Sequence, residues 1–591
     1  MRAPGDAHVL AIGSDQPAPE ASRPARRTGP GLSRSEWLWV AGILCVALAL
    51  RVAYVFLCDF NSDEPQHLHV ARAWAHGQVQ YRDVFDNHTP AFHILMAPFV
   101  AALGERFDLL IWMRLIMVPL YALTLWCTYV IGRTVLSPRR GIWAAVLTAT
   151  FLPFLKESTE FRADDLWALL FVAAIAVAMS VPLRSHRAFV SGLLLGAALS
   201  VSMKTGLLLV TLAEAAVATR IVWMGVELRR PARQTATGAG LAVIGFAVAP
   251  AAVIAWFTFH GALNDLYYGA IQHNLLAGLD EHATLKRILY APISGAVLLF
   301  ARKCIVKRNA FQKWTPAYTF LFLLSALYSA NFLLLWPFET TDQNFLPLWP
   351  ILIIVALPFI DSPRNRWAQP RRAQPERRWS TYAGPVAFSV IQLVAVLALG
   401  RWYWLHGSRH EDLAKWKAVL ELTGPQDFVM DPKGDLIFRD RAFYWGFEAI
   451  TRARMDRGLI PETISESLIA TRTCVVDPDI RRFPMATRSF IESNYVSVGP
   501  VLVAGKRLAA TSTDARGTFI LDVVIPADYV VVTDGRIGRG QIDQRPLSGG
   551  VLLETGRHEY RAAPGETAPV LLWAKAEQLG YLPHNLKPTR D

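Results

Sequence analysis

Charge is scarce in this chain. Asp, Glu, Lys and Arg make up 18% of its 591 residues, against about 25% in an average globular protein, while apolar residues reach 53% and mean hydropathy is +0.27. A soluble enzyme of ordinary composition is excluded. Cysteine is scarce too: Cys45, Cys58, Cys127, Cys304 and Cys474 are scattered without a C-x-x-C. Neither a zinc site nor a disulfide framework can be built from them. Portable catalytic signatures are missing as well, with no G-x-x-x-x-G-K-[ST], H-E-x-x-H, G-x-S-x-G or G-x-G-x-x-G, so ATP hydrolysis, zinc proteolysis and a serine elbow have no support. Lysine is the rare cation, 12 residues against 48 arginines, a bias that fits a GC-rich bacterial genome.

What fills the chain is long apolar runs. A spanning helix needs roughly 20 mostly apolar residues, and runs of that kind fall near 36–57, 109–131, 141–155, 165–183, 189–203, 206–226, 238–259, 288–301, 316–336, 345–360 and 383–404. The expected fold is an α-helical polytopic membrane domain of about eleven transmembrane helices over 36–404. Residues 1–35, rich in Pro, Ala and Arg, read as a disordered tail. With that tail cytosolic, the loops on its side carry 24 Lys and Arg and those on the other side 8. The positive-inside rule then fixes the orientation, and the odd span number sends 405–591 outside, to the periplasm of a cell with an inner membrane. The formal charge of +12 lies in loops between spans, not on one soluble face, so no nucleic-acid partner is expected.

The soluble end reads as mixed α/β becoming β-rich. Residues 410–500 alternate helical patches with short apolar runs, whereas Phe519–Ile525, Tyr529–Thr533, Val551–Glu554 and Val570–Ala574 are β-rich and separated by turns such as Asp534-Gly535 and Gly549-Gly550. A small β-sandwich closing the chain is expected.

Chemistry-bearing residues gather in the outer loops 58–108 and 156–164. The first begins Asp59-Phe60-Asn61-Ser62-Asp63-Glu64-Pro65, with Pro65 placed to open a helix whose apolar side (His67, Leu68, Val70, Ala71, Trp74) suits the membrane surface. Asp63 and Glu64 either cap that helix or serve a site at the lip of the bilayer. The second loop brings Asp164 to the mouth of the fourth span, where an ionisable group faces a cavity or a partner. Lys204, between the fifth and sixth spans, lies on the same side and either snorkels or joins that site; Arg51 and Arg114 read as snorkelling. A carboxylate here could act as a general base toward an acceptor while cations stabilise a departing phosphate.

The order of motifs resembles a family. Ser-Asp-Glu after the first span, then "HVARAWAHGQVQYRDVFDNHTPAFHILMAPF", "EFRADDLWALLF", "GLLLGAALSVSMKTG" and "DQNFLPLWP" are similar to the GT-C membrane glycosyltransferases, in particular protein O-mannosyltransferases and aminoarabinose-to-lipid-A transferases, over residues 36–360. The resemblance implies a polyprenyl-phosphate sugar donor, an acceptor outside the membrane and inversion at the anomeric carbon. By position, Asp63 resembles the family's catalytic carboxylate, Glu64 its neighbour and Asp164 the second-loop acid, the last two shaping the site or holding a divalent metal ion. Lys204 resembles a contact to the donor phosphate. Where many relatives have Lys-Pro-Pro, this chain has His88-Thr89-Pro90, placing an imidazole where a fixed ammonium would bind phosphate. His88 could also be a metal ligand or a structural histidine. The competing class is a transporter or flippase without bond chemistry; such proteins show repeated halves and mid-membrane sites, and no repeat is visible.

Overall fold

The computed structural model describes residues 31–180, 185–224, 232–276, 314–335, 342–361, 382–508 and 517–583, with scattered positions between 291 and 306 and without 534, 548 and 567. The span expected at 288–301, most of the tail, Asp534 and the loops 302–314 and 361–380 lie wholly or largely outside the described residues.

The other ten expected spans are helices. In chain order the first part reads α1 Arg34–Leu57, α2 Asp63–Ala75, α3 Ala91–Leu103, α4 Leu109–Ile116, α5 Val118–Val135, α6 Pro138–Thr150, α7 Leu152–Glu157, α8 Ala163–Met179, α9 Ser185–Val201, α10 Thr205–Val222 and α11 Ala232–Phe259. Helices Pro316–Leu335, Trp349–Asp361 and Ala383–His406 follow. Six of these stretches are long and apolar enough to cross a membrane by length and composition, with Leu109–Val135 counted as one. The run 109–131 is two helices meeting at Met117, with Pro119 in the first turn of α5, where its missing N–H costs no helical hydrogen bond. The run 141–155 is α6 followed by the six-residue α7, with Pro153 in the first turn past the break.

Close packing follows from small residues. The Gly192-Leu-Leu-Leu-Gly196 stretch of α9 lets α11 come so near that a Cβ at Gly192 would stand 1.9 Å from the Ala242 carbonyl oxygen, and one at Gly196 2.0 Å from that of Phe246. Backbones approach like this in membranes where small residues recur every four positions.

The outer domain opens with helix Arg409–Leu422 and carries a nine-stranded sheet whose main path runs Val551–Leu553, Ala527–Thr533, Val570–Trp573, Leu502–Arg507, Val475–Val476, Phe428–Met430 and Asp440–Arg441. The Phe428–Met430 strand is parallel to both its neighbours, and the pairings along the rest of the path are antiparallel. A four-stranded sheet built on Thr518–Val523 and Gly556–Arg561 shares one apolar core with it. The closing sandwich is thus present, but it is not a separate unit: its larger sheet continues through the strands of residues 428–476.

One expectation about the first loop needs correction. Helix α2 does not lie on the membrane surface, because Glu64 to Ala73 are all buried. It is wedged between α3 and the outer domain. The loop also holds α3 itself, an apolar helix of 13 residues with Pro98 inside it, too short to have been read as a span.

Candidate active site

The outer domain docks on the first loop through directional polar bonds. His69 Nδ1 donates to the Ile437 carbonyl at 2.9 Å, Gln78 Nε2 to Asp440 at 2.9 Å, and Arg439 reaches Glu105 at 2.8 Å. Further along, Arg454 donates to the Gln272 carbonyl at 2.6 Å, and His273 Nε2 meets Glu448 at 2.8 Å. The docked loop places Lys433 against the start of α2.

That start holds two adjacent carboxylates with different surroundings. Glu64 is fully buried; Arg114 grips both its oxygens at 2.7 and 2.5 Å, the Phe161 amide donates to it at 2.7 Å and the Asn61 amide at 2.8 Å. Arg114 also donates to the carbonyls of Cys58 and Asp59 and lies 4.5 Å over the Phe60 ring. Glu64 therefore has no room for a substrate; it pins the first loop to α4 and to the second loop. Arg114 does not snorkel, nor does Arg51, which is buried, donates to Ser158 Oγ at 2.7 Å and sits 4.0 Å over the Tyr121 ring. Both were invisible as ion-pair or carbonyl partners because their acceptors lie on other segments.

Asp63 is 31% exposed. Its Oδ1 meets Lys433 Nζ at 2.5 Å and its Oδ2 meets Arg162 Nη2 at 2.8 Å. Arg162 occupies the cap position before α8 and lies 3.4 Å from Asp164, whose other oxygen meets Lys204 Nζ at 2.7 Å. The structure thus joins Asp63, Asp164 and Lys204 in one string, Lys433–Asp63–Arg162–Asp164–Lys204. Two links, Arg162 and Lys433, escaped the sequence reading. Arg162 had a signal, an arginine among Glu157, Glu160, Asp164 and Asp165; Lys433 had none.

The string carries three cations and two carboxylates. Burial disfavours the charge on Asp63, but Arg162 and Lys433 outweigh it and hold that carboxyl well below the usual carboxylate range. Glu160, 3.7 Å from Arg162, goes the other way: burial, with Glu64 next, pushes it up to about 8, so near neutrality it adds little negative charge. A net positive charge remains. Arg162 Nε is buried and, among the described residues, has no hydrogen-bond partner, which leaves a donor for an anion to satisfy.

His88 stands beside the string. Its Nδ1 is 2.8 Å from the buried Asp86, its ring lies 4.6 Å from that of His67, and it is part-exposed. Burial disfavours its charge, yet Asp86 prevails and raises the imidazole above its ordinary value. His67 Nδ1 in turn contacts His93 Nε2 at 2.9 Å. Burial, with His88 and His93, holds His67 well below its ordinary value, in the neutral form.

Among the described residues no three His, Cys, Asp or Glu side chains converge as a metal ion would need. Asp63 and Asp164 already face Lys433, Arg162 and Lys204, and Glu64 faces Arg114, so the residues present do not fit a divalent ion.

Compared with known proteins, the chain matches no family model and no curated protein. In three dimensions it is similar to ArnT from Cupriavidus metallidurans bound to undecaprenyl phosphate, at 13% identity and a TM-score of 0.49, covering 79% of this chain and 97% of that one. It is also similar to the apo oligosaccharyltransferase of Archaeoglobus fulgidus, at 11% identity and a TM-score of 0.42, covering 89% and 77%. ArnT and the Archaeoglobus enzyme AglB are both GT-C superfamily members, the superfamily whose motifs residues 36–360 resemble. At such identities and scores the likeness assigns no reaction, and the functional reading rests on the site.

Proposed function

We propose that this multi-pass membrane protein is a glycosyltransferase that moves a sugar from a polyprenyl-phosphate donor to an acceptor outside the inner membrane. The observation that carries the reading is the string of alternating charges at the helix ends beside the C-terminal domain, with surplus positive charge and an Arg162 donor unpaired among the described residues beside a part-exposed carboxylate. The surplus suits an anionic lipid headgroup, and a lipid phosphate can reach it from the bilayer.

In this reading an acceptor hydroxyl, or an amine in its place, forms a bond to the anomeric carbon as the carbon–oxygen bond to phosphate breaks. The acceptor proton goes to Asp63, and polyprenyl phosphate departs with the electron pair of the broken bond. Attack opposite the phosphate inverts the anomeric centre. Arg162, Lys204 and protonated His88 neutralise the phosphate, doing with fixed cations what a metal would otherwise do. Asp164 holds Arg162 and Lys204 in register, and Glu64, with Arg114, fixes the root of α2. The outer domain covers the site and takes part in choosing the acceptor, which is a lipid, glycan or protein.

The deciding experiment is release of free polyprenyl phosphate from a polyprenyl-phosphate hexose by purified protein in detergent or liposomes. Release is expected; binding and translocation of the donor without release would show a transporter instead. For orientation, alkaline phosphatase fused after Thr423 should be active and fused after Arg372 inactive, and the opposite pattern would put the site on the wrong side.

A further inference from the structure

Lys433 reaches Asp63 from a rigid mount. Asp431 accepts from the amides of Gly434 at 2.6 Å and Leu436 at 2.8 Å, while Arg441 bonds the Asp431 carboxylate at 2.9 Å and its carbonyl at 2.7 Å. Gly434 has φ +101°, and a Cβ there would come within 3.1 Å of the His69 ring. A side chain at that position would be strained and crowded. The turn thus presents one lysine to the site and nothing bulkier. The Lys433 side chain is 4% exposed, and among the described residues its ammonium bonds Asp63 and the Ser62 hydroxyl, the latter at 3.2 Å.

The two cations on Asp63 are not equivalent. Arg162 is shared with Asp164 and Glu160 and sits at the cap of α8. Its planar group is fixed by several bonds at once. Lys433 is a point charge on a flexible four-carbon stem, with one ammonium hydrogen uncommitted. A carboxylate held by two cations is a poor proton acceptor, and the second cation must leave before Asp63 can act as a base. A lipid phosphate brought next to Asp63 would compete strongly for that ammonium.

We propose that Lys433 is an outer-domain catalytic residue that passes from Asp63 to the donor phosphate when the donor binds. It then serves twice: its departure frees Asp63 to take the acceptor proton, and its arrival neutralises the leaving phosphate. This rests on the reading of the site as a polyprenyl-phosphate site, and the test separates the two.

The experiment measures binding of undecaprenyl phosphate, without sugar, to full-length purified wild type, Asp63→Asn, Lys433→Met and the double variant. If Lys433 is shared between carboxylate and phosphate, Asp63→Asn binds several-fold more tightly than wild type, because the ammonium is no longer held. Lys433→Met binds about tenfold more weakly. In the double variant the tightening vanishes, and its affinity equals that of Lys433→Met, which excludes Arg162 as the cation released. Equal affinity of wild type and Asp63→Asn, or the same tightening with and without Lys433, would overturn the proposal while leaving the glycosyltransferase reading intact. No binding by any of the four proteins would overturn both. Should Lys433→Met not insert, Lys433→Gln takes its place, and the Asp63→Asn measurement alone still decides against the proposal if no tightening is seen.

Discussion

Two clusters of charge are built from the first turn of α2, and they differ in every respect that matters for chemistry. The Glu64–Arg114 pair is fully buried, neutral as a pair, and tied at both ends to backbone amides and carbonyls. The string around Asp63 is part-exposed, carries surplus positive charge and keeps an unpaired Arg162 donor. Carboxylates one residue apart point to different sides of a helix, so a single turn can hold the loop in place with one and present the other. A closed cluster resists change, whereas an open one has free capacity for a ligand.

Breaking the closed cluster should have the largest effect, and it should be structural. Arg114→Met strands a buried carboxylate, and removing one partner of a buried pair costs about 3–5 kcal/mol. Thermal unfolding and detergent-solubilised yield should fall sharply. A variant as stable as wild type would mean that Glu64 has no structural role.

Breaking the open string should instead spare the fold. Asp63→Asn keeps the shape of the side chain and, at the start of a helix, Asn is as well tolerated as Asp, but the amide cannot take a proton. Turnover should fall by about 10²-fold or more, the usual span of general-base catalysis being about 10²–10⁴-fold, with thermal stability near wild type. Normal turnover would remove Asp63 as the base. Asp164→Asn loosens Arg162 and Lys204 without removing either, so a drop of about tenfold in turnover, about 1.4 kcal/mol of barrier, is expected from steady-state rates. An unchanged rate would reduce Asp164 to a cap of α8.

The smallest effect sharpens the boundary between the clusters, where Glu160 lies. Its carboxyl is raised to about 8 by burial and by Glu64; the folded state therefore holds its proton more tightly than the unfolded chain. Its contribution to stability is full below the unfolded value, about 4.3, and is lost as pH rises through the folded value. Glu160→Gln, which keeps the neutral form at every pH, should melt close to wild type near pH 4 and about 2 °C or more above it at pH 8. Equal melting at both pH values would show that Glu160 ionises freely.

Much of this was written plainly in the chain. The ten described spans announce themselves by apolar length, and the strands at 518–573 by β-rich runs between turns. Asp63, Asp164 and Lys204 were each identifiable from their place at an outer helix end, where an ionisable group needs a reason. Arg51 and Arg114 misled for the opposite cause: an arginine near a span end is commonly a snorkelling residue, and only tertiary structure brings Ser158 and Glu64 to them. Helix α2 misled through its composition, since an apolar face fits a protein surface as well as a membrane. His88 could be singled out by its motif, but not its pairing with Asp86, which depends on a loop conformation. Lys433 lies in an unremarkable Asp-Pro-Lys-Gly-Asp turn, 370 residues from its partner, and no local pattern reaches so far.

That separation has a consequence for the life of the chain. At a synthesis rate of about 5–20 residues per second, Lys433 is made roughly 20–70 s after Asp63, and it meets Asp63 only once the C-terminal domain has folded and docked. Until then the carboxylate is without its lysine. Assembly of the site is the last event of biogenesis, so a nascent chain halted before residue 433 holds the whole membrane scaffold expected over 36–404 and still lacks a finished centre.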